Sequence, residues 1–519
     1  MSEKSLTKNE KIEKLIELAG NQNRYQYSAL FIVAFVWCLT FFVTQSISVL
    51  EDLPIIEYTN STGHNITEPI NYTICEWEGN FTYKERPGYS IVSEFEIECN
   101  SYKTGFIGTS FTIGLMIGCF IFGFLTKIIP SKIMITASLL VYAVCLVIMA
   151  WARNYVVFCI GESFCGLAME LSTFPAMVLL EEIVGKSKRA MFSCVVAVFE
   201  TIVFYIPLYY LFQQWTTVFY IVTAIILIEI VFVNIFLFES PRRYMETGDT
   251  DKILEILRGI AKFNGKLESF EAGIKTDEYQ NILTTLFEED EEDKIQKKYK
   301  NKIKWYSLVK YPSLRLSFLV FCYIFFVSYG IYEGITISMK FLTGSIFVNT
   351  LILYFFESIS SLLSGWLVET SLGRKKTMVI SYFFCTLSVI MNELFSEYST
   401  VVELLSSLVF RFFISVASTI FYTFTLETYP GPVRSLGFGI NSTSGEIGVL
   451  FTTMLVELIS PRVMSWVNAV LCFSNGLAIL FLKETVGLPM EETIKEIEEE
   501  NMITSDKDLI PLVEGTTIN

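Results

Sequence analysis

Residues 182–189 read EIVGKSKR and residues 427–434 read ETYPGPVR, and the two stretches echo one another, each opening on glutamate and closing on arginine. Glu182 and Arg189 match Glu427 and Arg434 at a single offset of 245 residues (427 − 182 and 434 − 189). Glu239 in ESPRRYMETG and Glu484 in ETVGLPMEET are again 245 apart (484 − 239), and Gly123 in GFLTKIIPSK precedes Gly365 in GWLVETSLGRK by 242 (365 − 123). A chain that echoes itself at one long period is built from two copies of one unit. In a membrane protein such duplication is the mark of a transporter whose halves rock about a site near the bilayer midplane.

Each motif closes an apolar run. The 519 residues are 52% hydrophobic and 18% charged, with a mean hydropathy of +0.48, a balance no soluble domain of this size needs. Runs near the ~20 residues that cross hydrocarbon begin at Ser28, Gly105, Ile133, Tyr155, Ala190, Thr216, Arg315, Ser345, Thr377, Thr400, Arg434 and Val463, which makes twelve spans. The N-terminal MSEKSLTKNEKIEKLIELAG is charged ahead of the first span and lacks the apolar core and cleavage site of a secretory signal. It is expected in the cytosol, and with twelve spans so is the C-terminus. The short loops agree: Lys127, Lys132, Lys186, Lys188, Arg189, Arg374, Lys375, Lys376 and Arg434 fall inside, against Arg153, Lys340 and Arg462 outside. The net charge of −15 comes mainly from the first loop, the tail and acids within spans, and is no sign of a nucleic-acid partner.

The expected organisation is a cytosolic segment 1–27, a six-span bundle 28–238, a linker 239–314, a second six-span bundle 315–482 and a cytosolic tail 483–519. In the linker, DKILEILRGIAKFNGK has apolar residues at helical spacing, while FEEDEEDKIQKKYKNKIK swings from acid to base. It reads as amphipathic helices followed by a flexible charged tether. The loop 51–103 carries sequons at Asn60, Asn65, Asn71 and Asn80, which place it outside the cell. A Cys75–Cys99 disulfide suits that oxidising compartment. The other nine cysteines lie in or beside spans, where thiols act as small hydrophobes. A fifth sequon at Asn441 falls inside span eleven, out of reach of glycosylation.

Acids lie deep in the spans. Glu162, Glu170, Glu200, Glu229, Glu333, Glu357 and Glu446 face Arg411 as the one deep base. At about 2.5 kcal/mol each on insertion scales they are not incidental, and each needs a proton, a partner or a cationic ligand. Glu446 has two readings, a counter-ion to a bound substrate or to Arg411. Tyr332 and Phe199 are the aromatic candidates for cation recognition. The sole histidine, His64, lies in the sequon loop, and no Gly-x-x-x-x-Gly-Lys-Ser/Thr phosphate loop occurs. No enzyme chemistry, metal or cofactor is expected.

At these motifs the chain resembles the major facilitator superfamily, and within it the organic cation/anion/carnitine transporter family, solute carrier family 22. GNQNRYQ, residues 20–26, is similar to that family's opening Gly-x-Phe-Gly-x-Tyr-Gln, and the long sequon loop closes on SIVSEFEIECN. ESPRRYMETG followed by AKFNGK matches Glu-Ser-Pro-Arg and Ala-x-x-Asn-Gly-Lys, and LKETVGLPMEETIKEIEE ends the last span. Glu-Ser-Pro-Arg and the final motif are shared with sugar porters; the sequon loop and the opening motif favour solute carrier family 22. The resemblance implies an all-α membrane fold of twelve helices in two six-helix bundles. It puts Glu446 at the span-eleven position where cation carriers resemble one another in having an acid and anion carriers an arginine. Glu357 matches the span-eight glutamate, Tyr332-Glu333-Gly334 the family's Tyr-x-Gly, and Arg411 its basic position in span ten. Glu170 stands where relatives often carry lysine.

Basic residues after spans two and eight are expected to pair with the acids ending spans four and ten, bridges that shut an inner gate. The candidates are Lys127, Lys132, Glu182, Arg189, Glu239 and Arg242 in one half, and Glu369, Arg374, Lys375, Glu427, Arg434 and Glu484 in the other. GFLTKIIPSK departs from the family's Gly-x-x-x-Asp-Arg-x-Gly-Arg, with Lys127 at the acid and Pro130 at the glycine, and Glu162 replaces the usual arginine of span four. The leading expectation is a plasma-membrane carrier of small organic cations, facilitative and driven by membrane potential. The alternatives are a zwitterion, anion or sugar-like solute carrier, with a glutamate protonated for coupling, and a non-transporting receptor or scaffold.

Overall fold

With no water in hydrocarbon, each backbone N–H and C=O must bond within its own segment, so apolar runs become helices. The computed structural model describes residues 8–20, 23–50, 55–59, 65–69, 81–83, 90–97, 99–126, 128–184, 189–201, 205–212, 214–247, 249–287, 307–338, 346–370, 372–395 and 400–486. After α1 (Lys8–Gly20), the first half comprises α2 (Arg24–Thr40) with α3 (Phe42–Leu50), the short α4 (Ile91–Glu94), α5 (Ser101–Leu125), α6 (Ser131–Trp151), α7 (Tyr155–Ile183), α8 (Arg189–Glu200) with α9 (Tyr205–Phe212), and α10 (Trp215–Phe236). The linker holds α11 (Pro241–Thr247), α12 (Thr250–Phe263), α13 (Leu267–Ile274) and α14 (Asp277–Phe287). The second half runs from α15 (Ser307–Lys310) through α16 (Pro312–Ser338), α17 (Ile346–Val368), α18 (Gly373–Phe395), α19 (Thr400–Thr428), α20 (Gly431–Leu458) and α21 (Pro461–Ile479).

All twelve expected spans fall on these helices, each beginning within four residues of a helix start. Seven described helices are, by themselves, long and apolar enough to cross a bilayer: α5, α6, α7, α10, α16, α18 and α19. Their outer faces carry exposed apolar side chains, such as Leu140 and Ile148 on α6 and Ile228 and Ile235 on α10, a surface suited to lipid. Caps set several boundaries: Asn100 accepts from Lys103 N–H, Asn154 from Val156 N–H and Asp249 from Lys252 N–H. Ser460-Pro461 begins α21 with proline in its first turn.

The segment after α3, expected as a loop, contains strands. Strands β1 (Ile55–Thr59), β2 (Asn65–Pro69) and β3 (Phe81–Tyr83) form an antiparallel sheet in the order β2-β1-β3, pairing Ile55 with Pro69 and Tyr58 with Phe81. Asn65 opens β2; Asn60, Asn71, Asn80 and Cys75 lie outside the described residues. Cys99 is disulfide-bonded.

Two apolar clusters organise the interior. One runs from Ile12 to Ile282 and includes α1 packed through Leu15 and Ala19 beside Ile253, Leu257 and Ile260 of α12. The other runs from Leu308 to Leu482 and takes in Cys119, Phe122, Leu171 and Phe174 from the first half. The halves therefore meet where α5 and α7 approach α20. Gly439 permits this approach, because a Cβ there would lie 2.7 Å from the Cys119 carbonyl oxygen.

Candidate functional site

Between the halves lies a cavity of about 670 Å³, lined by residues of α2, α3, α5, α7, α8, α16, α17, α19 and α20. It reaches Tyr102 and Phe106 in the first turns of α5, the end of the bundle that carries the sheet. Phe174 on its wall packs edge-on against Phe438, with ring centroids 4.7 Å apart, and Phe122 meets both rings.

Four glutamates line this space, Glu170, Glu200, Glu357 and Glu446, and no lysine, arginine or histidine does so among the described residues. Arg411 lies behind the wall. Its Nη2 is 3.0 Å from Glu357 Oε2 in a buried ion pair, its guanidinium carbon sits 3.8 Å from the Tyr332 ring centroid, and the Tyr332 hydroxyl donates to Glu357. Pairing, stacking and hydrogen bonding together compensate the cost of burying both charges. Glu446 and Glu170 form a separate group: a carboxylate oxygen of each and the Cys119 sulfur all lie within 4.8 Å of one another, and all three residues are buried.

The remaining predicted residues divide. Glu200 lines the cavity, and its backbone carbonyl accepts from the Gln45 amide. Tyr332 also lines it, but one ring face covers Arg411. Phe199 requires a correction as a cavity residue: it is absent from the wall, and its ring stands edge-on to Phe31, which is 58% exposed. Each residue step along a helix rotates the side chain by about 100°, so adjacency to Glu200 in sequence does not carry Phe199 inward. The Glu333 side chain lies outside the described residues. Glu162 bonds the Ser110 hydroxyl at 2.7 Å and does not line the cavity.

Two aromatic residues that sequence reasoning passed over line the cavity with the acids. Tyr329 and Tyr422 join hydroxyl to hydroxyl at 2.6 Å, and Trp37 meets Tyr422 edge-on at 6.3 Å. Tyr329 stands three residues before Tyr332 and so shares its helix face, a signal present in the sequence. Cys119 carried no such signal, since its role comes from helices distant in the chain.

At the linker end the two copies of the motif are built alike. Glu484 accepts the N–H groups of Arg374 and Lys375 at 3.1 and 3.0 Å, and Glu239 accepts those of Ser131 and Lys132 at 3.3 and 3.0 Å. Each glutamate thus sits on the positive N-terminus of a spanning helix. Lys375 Nζ donates to the Leu480 carbonyl at 2.7 Å, as Lys132 Nζ does to Asn234 at 2.8 Å. In the second half a bidentate bridge runs from Arg374 to both oxygens of Glu427 at 3.1 and 3.0 Å, with Thr485 donating to the same carboxylate. Burial raises the Glu369 carboxyl above its ordinary value, with Glu427 adding and Arg374 opposing. Arg434 donates to the Tyr429 carbonyl at 3.2 Å. In the first half Arg242 bonds Glu13 of α1 at 3.2 Å and the Glu182 carbonyl at 3.4 Å; Lys127 and the Arg189 side chain lie outside the described residues.

Known proteins share this construction. The chain is 25% identical over 423 residues to solute carrier family 22 member 21 of Mus musculus, covering 79% of the chain and 71% of that protein. It is 25% identical over 460 residues to organic cation transporter 1 of Caenorhabditis elegans, covering 85% and 74%. The solved structure of the proton:xylose symporter XylE bound to 6-bromo-6-deoxy-D-glucose superimposes with a TM-score of 0.66 at 15% identity, over 92% of this chain and 99% of that one. The family model described as Major Facilitator Superfamily matches residues 91–353 and 336–498. With duplicated motifs, two helical halves and a cavity between them, this multi-pass membrane protein belongs to the Major Facilitator Superfamily, whose members are transporters rather than enzymes.

Proposed function

We propose that the chain carries small organic cations across the plasma membrane by alternating access, with both termini and the linker 239–314 in the cytosol. The observation that carries this reading is the composition of the cavity wall, four glutamates and no base among the described residues. In this site Glu446, Glu170 and Glu200 on the cavity wall oppose a cationic solute, while Glu357 is paired with Arg411. Tyr329, Tyr422 and Trp37 supply ring faces and edges against which an ammonium group packs. The name of the Caenorhabditis elegans relative, an organic cation transporter, agrees in charge type. Inward movement of one positive charge is favoured by about 2.3 kcal/mol per 100 mV, enough to drive facilitative uptake without a coupled ion.

In this cycle bundles 28–238 and 315–482 move against one another, and the Arg374–Glu427 bridge holds the linker end closed while the cavity faces outward. The test is uptake of a panel of labelled organic cations into expressing cells against vector controls. Saturable uptake that falls on depolarisation supports the reading. Uptake confined to anions or neutral solutes, or none above control for a protein shown to reach the surface, overturns it.

A further inference from the structure

We propose that Cys119, Glu170 and Glu446 form a binding site for one thiophilic divalent metal ion of the Zn²⁺ class, bridging the two halves of the protein. Three donors of suitable type converge there, a thiol and two carboxylates, each within 4.8 Å of the others. Bonds of about 2.0–2.3 Å around a tetrahedral ion place its donors roughly 3.3–3.8 Å apart. The cluster reaches that spacing by a contraction on the order of 1 Å, within the range of side-chain torsions.

A second observation points to a ligand. Glu170 is 5% exposed and lines the cavity, yet its Oε2 has no hydrogen-bond partner among the described residues. A buried carboxylate oxygen left in this way is costly, and a second carboxylate beside it raises the cost. A divalent ion removes both penalties at once. Glu170 and Glu446 face the cavity, so an ion enters from that side and keeps one coordination position open toward it, the arrangement of a three-ligand site. Calcium and magnesium call for six or more oxygen ligands, whereas thiolate favours softer ions.

The site differs from the proposed solute site in what it does mechanically. Cys119 belongs to α5 and Glu170 to α7, both in the first half, while Glu446 belongs to α20 in the second. A bound ion therefore ties the halves beside the Gly439 contact and opposes the separation that alternating access requires. Because Glu446 serves both sites, metal and organic cation exclude one another.

The experiment reads metal binding and is independent of what is transported. Full-length protein purified in detergent is titrated with Zn²⁺, and with Mg²⁺ as the hard-ion control, following thermal stability; Co²⁺ is added to a second sample to record its thiolate charge-transfer absorption. Zn²⁺ is expected to raise the melting temperature while Mg²⁺ does not, and Co²⁺ to give the thiolate band. Cys119→Ser and Glu170→Gln are expected to weaken the Zn²⁺ response on the order of tenfold or more, as loss of a ligand costs at least what loss of an outer partner does. Cys119→Ser is also expected to lose the Co²⁺ band, and Cys472→Ser to behave as wild type. Cys119→Ser is nearly isosteric, so it separates ligation from folding. Absence of a Zn²⁺ response or of the Co²⁺ band in the wild-type protein, or a Cys119→Ser titration equal to wild type, overturns the proposal.

Discussion

Arg411 and Glu357 lie 3.0 Å apart in an ion pair whose side chains are 3% and 7% exposed, with the Tyr332 ring laid over the guanidinium. The pair ties the deep base of span ten to the glutamate of span eight. Removing one partner of such a pair leaves an uncompensated buried charge, at a cost of about 3–5 kcal/mol. Glu357→Gln or Arg411→Gln is therefore expected to lower melting temperature and surface expression sharply, and the double replacement to recover much of the loss. Thermal melts of the purified variants check this; a double variant as unstable as the worse single one would contradict it.

Glu446→Gln keeps the size and hydrogen-bonding capacity of the side chain, so surface expression is expected to stay near that of the wild type. If it neutralises a bound solute, cation affinity falls by roughly tenfold, the difference of about 1 kcal/mol or more between charge-assisted and neutral contacts. Glu446→Arg should abolish cation uptake altogether. The measurement is concentration-dependent uptake normalised to surface protein, and unchanged cation uptake by well-expressed Glu446→Arg would refute the counter-ion role.

The Arg374–Glu427 bridge acts on the conformational cycle rather than on the solute. Arg374→Ala and Glu427→Ala are expected to lower maximal uptake several-fold with little change in apparent affinity. The kinetic split is the readout, and a pure affinity loss would remove the bridge from the gate.

Gly439→Ala places a methyl group 2.7 Å from the Cys119 carbonyl oxygen and 3.2 Å from Gly123 N. Overpacking at such a contact costs about 1–3 kcal/mol, so the melting temperature should fall. Gly476→Ala is the comparison, because its new Cβ meets nothing nearer than the Tyr382 Cβ at 3.5 Å. Equal stability of the two variants would show that α5 and α20 are not in tight contact in solution.

Glycosidase treatment of protein from expressing cells should increase its mobility, and joint replacement of Asn60, Asn65, Asn71 and Asn80 should remove that shift. A shift that persists would place the loop on the wrong side or the sugars elsewhere.

The spans, their duplication and the motifs at their ends were legible in the residues alone. Each is a local property: about 20 apolar residues suffice to cross a bilayer whatever they pack against, and a copied Glu-to-Arg spacing survives in linear order. The charges inside the spans were legible as a set, because an acid in an apolar run stands out by its cost. Their pairing was not. Arg411 meets Glu357 from 54 residues away, Glu446 meets Glu170 and Cys119 from the other half, and Phe199 turns from the cavity although its neighbour Glu200 lines it. Those outcomes depend on how helices are rotated and how closely they approach, which glycine contacts such as Gly439 against Cys119 set at the level of single ångströms. Coulomb energy and ligand geometry vary steeply over that distance, so the identity of each partner is a property of the packed helices and not of the order of residues along them.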